Sequence, residues 1–470
     1  MGTEGYKKIQ GEDITFFADL LGKENLISSG KDLSVFGSDE TEDLCFPPEL
    51  VLFPETAEQI AKIMAYCNRE AIPVTPRGAG TGLSGGALPV FGGVVLSIKR
   101  LNRILDIDLR NLQVTVEPGV ITQVLQDAVA EKGLYYPPDP ASRGSCFIGG
   151  NVAENSGGPH ALKYGVTKDY VLNLEVVLPD GTLIWTGANV LKNSTGFNLT
   201  QLFVGSEGTL GIITKIVLRL IPQPGPNVVM LVPFRSAEKA CEAVSAVFRK
   251  GITPSALEFM ERDAIDFTLK FVDDVNLPVD PDVRAHLLVE IEGKTPEAIF
   301  EEADEVRKVM EAFEAGEILF ADTDEQKASL WKLRRRVGEA VKSHSVYKEE
   351  DTVVPRAELP ALLKGVKEIG SKYGFQSVCY GHAGDGNLHV NILKGNLSDE
   401  VWERDIPLAI RQIFKLCVSL GGTLSGEHGI GWVQKGFMDI AFSERMIDLQ
   451  KEIKKVFDPK GILNPGKLFE

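Results

Sequence analysis

Six cysteines in 470 residues, at positions 45, 67, 146, 241, 379 and 417, include no C-x-x-C pair and no four-cysteine cluster. That excludes a zinc ribbon or an iron-sulfur centre built by this chain and leaves reduced, mostly buried thiols. No run of about 18 uncharged apolar residues occurs, so no membrane-spanning helix is expected. The N-terminal stretch MGTEGYKKIQGEDITFF lacks the apolar core of a signal peptide. Gly2 follows Met1, but Tyr6 stands where the myristoylation pattern requires Ser or Thr. The expectation is a cytoplasmic protein that reaches a membrane only peripherally, through a partner. Basic charge is also short, 50 residues against 66 acidic ones for a formal net charge of -16, which disfavours nucleic acid and anionic lipid.

What is present is ordinary globular composition, 43% apolar and 25% charged, at a length that calls for two or three domains. Residues 10 to 70 alternate helical patterns (ITFFADLLG, TAEQIAKIMAYCNRE) with the short apolar strand ELVLFP, and Thr56 followed by Glu58 and Gln59 suits a helix start. Strands IPVTPR, GGVVLSI and LQVTVEPG follow, then a helix that stops at Gly133. The segment from 135 to 165 holds so many Gly, Pro and Asn residues that it reads as a long irregular, functional loop. A hairpin is expected around Asp180 and Gly181, and Pro222 and Pro224 mark a boundary. Beyond it, strands (NVVMLVPF, SALEFM, HLLVEIEG) alternate with amphipathic helices to about residue 325, an α+β pattern with one sheet face covered by helices. The expected class is α+β, with domains over 1–224, 225–425 and 426–470.

The stretch RGAGTGLSGG, residues 77 to 86, contains G-x-G-x-x-G at Gly80, Gly82 and Gly85. A dinucleotide fingerprint requires that loop to open a helix, whose free N–H groups receive the phosphates. Here GALPVFGGVVLSI follows, and Pro89, Gly92 and Gly93 lead into a strand instead. The loop can still hold phosphate, because glycines let the backbone approach an anion and line a concavity with N–H groups.

Three of the six histidines fall in two C-terminal motifs, GHAGDGNLH and SGEHGIG. A lone histidine is more often a buried, hydrogen-bonded side chain than a ligand. If Gly384, Asp385 and Gly386 turn a hairpin, however, His382 and His389 face each other across two strands and Glu427 adds a third ligand. Two imidazoles and a carboxylate suit one divalent ion, Zn or Fe/Mn, with positions left for substrate oxygen. LWKLRRRVGEA offers guanidinium groups able to grip a carboxylate; Arg335 and Arg336 read as a basic helix face.

PVTPRGAGTGLSGG, YYPPDPAS, GGNVAENSGG, KYGVTKDYV and VGSEGTLGIIT, in this order, resemble the flavin-binding segments of the vanillyl-alcohol oxidase (PCMH) type FAD fold. Within it the chain is similar, from about residue 40 to its end, to the GlcD-like D-2-hydroxyacid dehydrogenases: glycolate oxidase flavoprotein subunits, D-lactate dehydrogenases and D-2-hydroxyglutarate dehydrogenases. The resemblance implies an FAD-binding domain, a ferredoxin-like cap and a C-terminal segment completing the active site. It implies FAD held by Pro76, Arg77, Gly78, Gly80, Thr81, Gly82, Leu83 and Ser84 around the pyrophosphate. Pro138, Asp139, Gly149, Asn151, Asn155 and Gly158 would line the ring and ribityl side, Glu207, Gly211 and Ile213 the adenosine side, with Asn464 as a further contact. Where some relatives attach flavin through a loop histidine, this chain has Gly78 and Gly80, so non-covalent FAD is expected.

The same resemblance places a metal on His382, His389 and Glu427, a base at His428, and substrate contacts at Arg334 and Asn391. It implies oxidation of a 2-hydroxy acid to the 2-oxo acid, with electrons passed to an iron-sulfur subunit, an electron-transfer flavoprotein or quinone, and it allows a homodimer. Relatives acting on 2-hydroxyglutarate carry a Lys just before the acidic and proline segment; in YKEEDTVVP, Lys348 is one residue out of register. Short monocarboxylates such as D-lactate or glycolate are therefore expected. The competing readings are D-2-hydroxyglutarate oxidation, an alkylglycerone-phosphate-synthase-like transferase on the same fold, and a non-catalytic scaffold subunit.

Overall fold

The computed structural model describes residues 5–30, 32–41, 44–272, 277 and 279–469; Gly2 lies outside them. The chain forms two compact units, one of Met1–Gly157, Val166–Gln223 and Glu427–Glu470, the other of Gly158–Gly165 and Pro224–Gly426. The division into 1–224, 225–425 and 426–470 has no counterpart for the excursion Gly158–Gly165. Its side chains explain the assignment: His160 Nε2 lies 3.0 Å from Glu290, and Lys163 Nζ 2.8 Å from Glu292, both on a strand of the second unit.

The first unit holds a four-stranded sheet in the order Leu26–Ile27, Leu50–Leu52, Val94–Ser97, Val74–Arg77, whose last three strands run parallel. Against it packs the helix Ala57–Glu70, where Thr56 accepts the Gln59 N–H at 3.2 Å and Ala71 ends the helix in the left-handed region at φ 56°. Ile60, Ile63, Met64 and Cys67 recur at helical spacing and bury with Leu50, Val74 and Val94. The tail returns to this sheet: the Val74 N–H donates to Ile462 O at 2.8 Å and the Asn464 N–H to Val74 O at 2.7 Å. A second sheet of the same unit is antiparallel, in the order Ile104–Asp108, Gln113–Val116, Ile212–Arg219, Val171–Val177, Leu183–Trp185. The last pair is the expected hairpin, with Gly181 at φ 88° in its turn.

The segment 135–165 departs from the irregular loop expected, because Ile148–Glu154 and Ala161–Tyr164 are helical. IGGNVAE has poor intrinsic helix propensity, but tertiary contact overrides it. The Gly149 N–H donates to Pro118 O at 2.7 Å, and a Cβ on Gly149 would lie 2.5 Å from the Pro118 side chain. Only glycine lets the helix start sit that close to the turn.

The second unit is built on seven antiparallel strands in the order Leu319–Ala321, Asn227–Phe234, Ala285–Glu292, Ala256–Glu261, Gln376–Gly381, Asn387–Leu393, Tyr347–Val353. Helices cover both faces rather than the one expected. Ala264, Ile265, Leu333, Val337 and Val341 pack with Leu231, Met260 and Leu288 on one face, while the helices Ala237–Arg249 and Leu359–Tyr373 contact the sheet from the other. The sequence signal is the near-continuous apolar run of strands such as HLLVEIE, which alternation would have broken had one face met water.

This sheet buries two groups that make the second unit acid-sensitive. Burial, helped by the Arg262 charge, pushes the His286 imidazole down to about 4. Glu290 is held down at about 2 despite burial, by hydrogen bonds from His160, Ser255 and Trp331. Both folded values lie below the unfolded ones, so both contributions are present above the unfolded pKa and are lost on acidification. Stability should fall between about pH 6.5 and 4 through His286 and further between about 4.5 and 2 through Glu290. His286→Phe should flatten the first interval in a melting-temperature series against pH; an unchanged slope there would remove His286 as its cause.

Candidate active site

In the first unit a cavity of about 250 Å³ opens over the glycine loop. It joins the strand Val74–Arg77 to Val94–Ser97 with no helix between them, so the nicotinamide-type arrangement is absent and the loop backbone itself forms the wall. Pro76, Arg77, Gly78, Gly80, Thr81, Gly82, Leu83, Gly149, Asn151, Glu207, Gly211, Ile213 and Asn464 all line it, and so do Glu427 and His428.

The glycines there have different causes. Gly78, Gly82 and Gly150 face the cavity without a positive φ, and no protein atom lies within 3.8 Å of a Cβ built on Gly78 or within 4 Å of one on the other two. Nothing in the protein demands glycine at these three, so the space is kept for an occupant. The Arg77 guanidinium, 8% exposed, folds under Gly80 and leaves Nη1 without a hydrogen-bond partner, while burial lowers its pKa against the pull of Asp39. A buried cation beside free loop backbone fits a pyrophosphate. Gly211 is glycine for packing instead, because a Cβ would meet Val176 and Phe203.

Other positions expected around a flavin lie outside the lining. Ser84 is buried beside Gly86, and its hydroxyl lacks a partner. Pro138 O accepts the Gln126 amide at 3.0 Å, Asp139 faces Arg143 at 3.8 Å, and Asn155, at φ 56°, accepts the Lys168 N–H at 2.8 Å. Gly158 belongs to the second unit. These residues shape the loop segments; the lining residues Ile98, Phe147, Gly150 and Glu154 were not picked out from the sequence, although Gly150 and Glu154 stand inside GGNVAENSGG.

Glu207 has a structural task besides lining the cavity. At φ 50° and 5% exposed, it accepts the Ile430 N–H on Oε1 at 2.8 Å and the Gly431 N–H on Oε2 at 2.6 Å. That fixes the loop carrying Glu427 and His428. Asn464 closes the same corner, its amide donating to Gly86 O at 3.0 Å and Glu207 O at 2.8 Å. Burial raises Glu207 to about 7, its N–H donors notwithstanding; burial and the Glu207 charge push Glu154 well up; and burial lowers Lys467 to about 7.

In the second unit the centre is Glu258, a residue that sequence reasoning passed over because SALEFM reads as a plain strand. Its fully buried carboxylate takes His382 Nδ1 at 2.9 Å on each oxygen and Arg334 Nη2 at 2.7 Å. Burial would raise its pKa, but the His382 and Arg334 charges and their hydrogen bonds hold it below the usual range. Arg334 lies against the Tyr380 ring at 5.2 Å, and its Nε has no hydrogen-bond partner. His382 follows the strand Gln376–Gly381, His389 sits opposite Tyr380 and Asp351 in register, and the two imidazole centroids are 5.5 Å apart.

Asn391, fully buried, lies on the same strand opposite Glu349. Asp351 accepts the Ser425 hydroxyl and the Gly426 N–H, each at 2.8 Å, which pins the chain at the residue bonded to Glu427. Lys348 rests over the Trp402 ring at 5.5 Å. Among the described residues no helix is long and apolar enough to cross a membrane.

Residues 48–187 match the FAD binding domain family and residues 223–468 the C-terminal domain of FAD linked oxidases. The chain is 38% identical to the glycolate oxidase subunit GlcD of Bacillus subtilis (strain 168) over 95% of its length and 94% of the relative's. It is 39% identical to a D-lactate dehydrogenase of Archaeoglobus fulgidus, covering 92% and 94% of the two chains. It is also 34% identical to a D-2-hydroxyglutarate dehydrogenase of Stutzerimonas stutzeri (strain A1501), covering 94% and 96%. In fold it is similar to p-cresol methylhydroxylase, with a TM-score of 0.79 over 99% of this chain and 98% of that one at 20% identity. An alkyldihydroxyacetonephosphate synthase shares the fold at a TM-score of 0.75 and 18% identity, covering 99% of this chain and 87% of that one. The fold is thus the PCMH type expected, and the chain belongs to the FAD-linked oxidases, oxidoreductases that join an FAD-binding domain to the FAD-linked oxidase C-terminal domain.

Proposed function

We propose that the protein oxidises a short D-2-hydroxy acid, D-lactate or glycolate, to the 2-oxo acid and passes the electrons to a partner protein or quinone. The observation that carries this reading is the grouping of Arg334, His382 and Glu258. A buried guanidinium with an unpaired Nε beside an imidazole of fixed orientation suits a substrate with a carboxylate next to an oxygen donor. The names of the relatives support the substrate class.

In this reading Arg334 and Asn391 orient the carboxylate. His382, His389 and Glu427 would hold one divalent ion, Zn or Fe/Mn; Nδ1 of His382 is engaged by Glu258, which would leave Nε2 for the ion, as where a carboxylate fixes a metal-binding imidazole. The ion would lower the pKa of the substrate hydroxyl. His428, as a neutral imidazole, takes the hydroxyl proton. FAD, held without a covalent bond, supplies the two-electron acceptor for the α-hydrogen and its electron pair. Lys348, engaged with Trp402, offers no second cation for a dicarboxylate, which supports the monocarboxylate.

The test is an anaerobic absorbance titration of metal-analysed protein with D-lactate, L-lactate, glycolate and D-2-hydroxyglutarate, followed in the flavin band. Bleaching by D-lactate or glycolate but not by L-lactate is expected. Bleaching only by D-2-hydroxyglutarate would replace the substrate, and a flavin band that none of the four bleaches would favour the transferase or scaffold readings.

A further inference from the structure

On the sheet face that the helix Asp324–Arg335 covers, strand register brings four carboxylates into one row: Glu290, Glu258, Asp351 and Glu349. Three of them are closed in by hydrogen bonds. Glu290 is engaged by His160, Ser255 and Trp331, Glu258 by His382 and Arg334, and Asp351 by Asn387, Ser425 and the Gly426 N–H. Their side chains are 3%, 0% and 0% exposed, while that of Glu349 keeps 11%. Glu349 accepts the Tyr380 hydroxyl at 3.3 Å, and His389 Nδ1 stands 3.6 Å away, too far for a hydrogen bond.

Glu349 pairs in register with Asn391, so the two side chains leave neighbouring strands on the same face, with Cβ atoms about 5 Å apart. The Asn391 amide, fully buried, borders the Tyr380 hydroxyl, yet neither its Oδ1 nor its Nδ2 meets hydrogen-bond geometry. A simple 2-hydroxy acid answers to half of this arrangement. Its carboxylate takes Arg334 and the amide donor Nδ2, and its C2 hydroxyl is used in the oxidation. Asn391 Oδ1 and the Glu349 carboxylate are then left as two adjacent acceptors, which a methyl group at C3 leaves unpaired and a second carboxylate repels. A hydroxyl at C3 suits them, because it donates to Glu349 or Asn391 and accepts from Tyr380, whereas an ammonium there could accept nothing.

We propose that Glu349, with Asn391 Oδ1 and the Tyr380 hydroxyl, recognises a hydroxyl on C3 of the substrate, so that the acid this site fits best is a three-carbon 2,3-dihydroxy acid, D-glycerate. The inference rests on the 2-hydroxy-acid reading above and extends its substrates beyond lactate and glycolate. The chemistry at C2 is unchanged: its hydrogen leaves with the electron pair to the flavin and its hydroxyl loses the proton. The product is a 3-hydroxy-2-oxo acid, and the C3 hydroxyl breaks no bond.

Anaerobic stopped-flow reduction of the FAD- and metal-loaded full chain by D-glycerate and by D-lactate, acids that differ in one hydroxyl, tests it. The ratio of reduction rate to dissociation constant should be about 10-fold or more higher for D-glycerate, as a hydrogen bond to a charged group implies. Glu349→Leu should lower that preference by about 10-fold or more, Glu349→Gln, which keeps an acceptor oxygen, should lower it less, and both should hold the parent's metal per flavin. D-glycerate reducing the flavin no better than D-lactate, or a preference that survives Glu349→Leu, would overturn the proposal. So would loss of metal in Glu349→Leu, which would make Glu349 a partner of His389 instead. Should Glu349→Leu fail to fold, the two acids compared on the parent and on Glu349→Gln decide. Reduction by D-lactate without preference for D-glycerate ends this inference and leaves the 2-hydroxy-acid reading standing; reduction by neither acid, nor by glycolate, ends both.

Discussion

His428→Ala should keep FAD bound at full stoichiometry and lower the rate of substrate-driven flavin reduction by about 10²- to 10⁴-fold, the usual contribution of a positioned general base. The imidazole lines the flavin cavity, and its loop is fixed from Glu207 through the Ile430 and Gly431 N–H groups, with Gly429 at φ 82° lying against the Glu154 and Glu207 carboxylates. Removing the imidazole therefore leaves the backbone path and the cavity wall in place. Stopped-flow absorbance under anaerobic conditions measures the rate, and the flavin-to-protein ratio measures the cofactor. Reduction at close to the parent rate would end the base assignment while leaving the FAD site intact. Loss of flavin would show instead that His428 serves the cavity rather than the proton.

The site was legible in the sequence wherever chemistry and backbone coincide. RGAGTGLSGG announces itself because glycine at Gly78 and Gly82 answers to the cavity and not to local packing. The two histidine motifs stand out because histidine is scarce. What stayed hidden depends on contacts far apart in the chain. Glu258 lies 76 residues before Arg334 and 124 before His382, on a strand indistinguishable by pattern from its neighbours, and only sheet pairing brings the three together. The helix Ile148–Glu154 escaped because its glycines lower local propensity while permitting the approach to Pro118 that stabilises it. Gly158–Gly165 escaped for the same kind of reason: its attachment rests on Glu290 and Glu292, more than a hundred residues away.

Glu258 is where the second large effect is expected, and two substitutions separate its roles. Glu258→Ala strips the partner from a buried guanidinium, and breaking a buried ion pair on one side costs about 3–5 kcal/mol. At about 2–4 °C per kcal/mol for a domain of this size, the second unit's melting temperature should fall by about 6 °C or more. Glu258→Gln keeps the volume and one acceptor oxygen but offers an amide N–H₂ where a carboxylate oxygen met His382 Nδ1 at 2.9 Å. If that amide donates to Nδ1, the ring proton must move to Nε2, the atom assigned to the metal, and a protonated nitrogen cannot ligate. The Gln variant should therefore lose about 10- to 100-fold in metal affinity with a smaller fall in melting temperature than the Ala variant, and with FAD retained in the other unit. Metal content per flavin, compared with calorimetric melting, measures both. A Gln variant that melts lower yet holds its metal as tightly as the parent would make Glu258 a structural ion-pair partner of Arg334 alone. One that loses metal at little thermal cost would make the carboxylate the group that decides which nitrogen of His382 faces the ion.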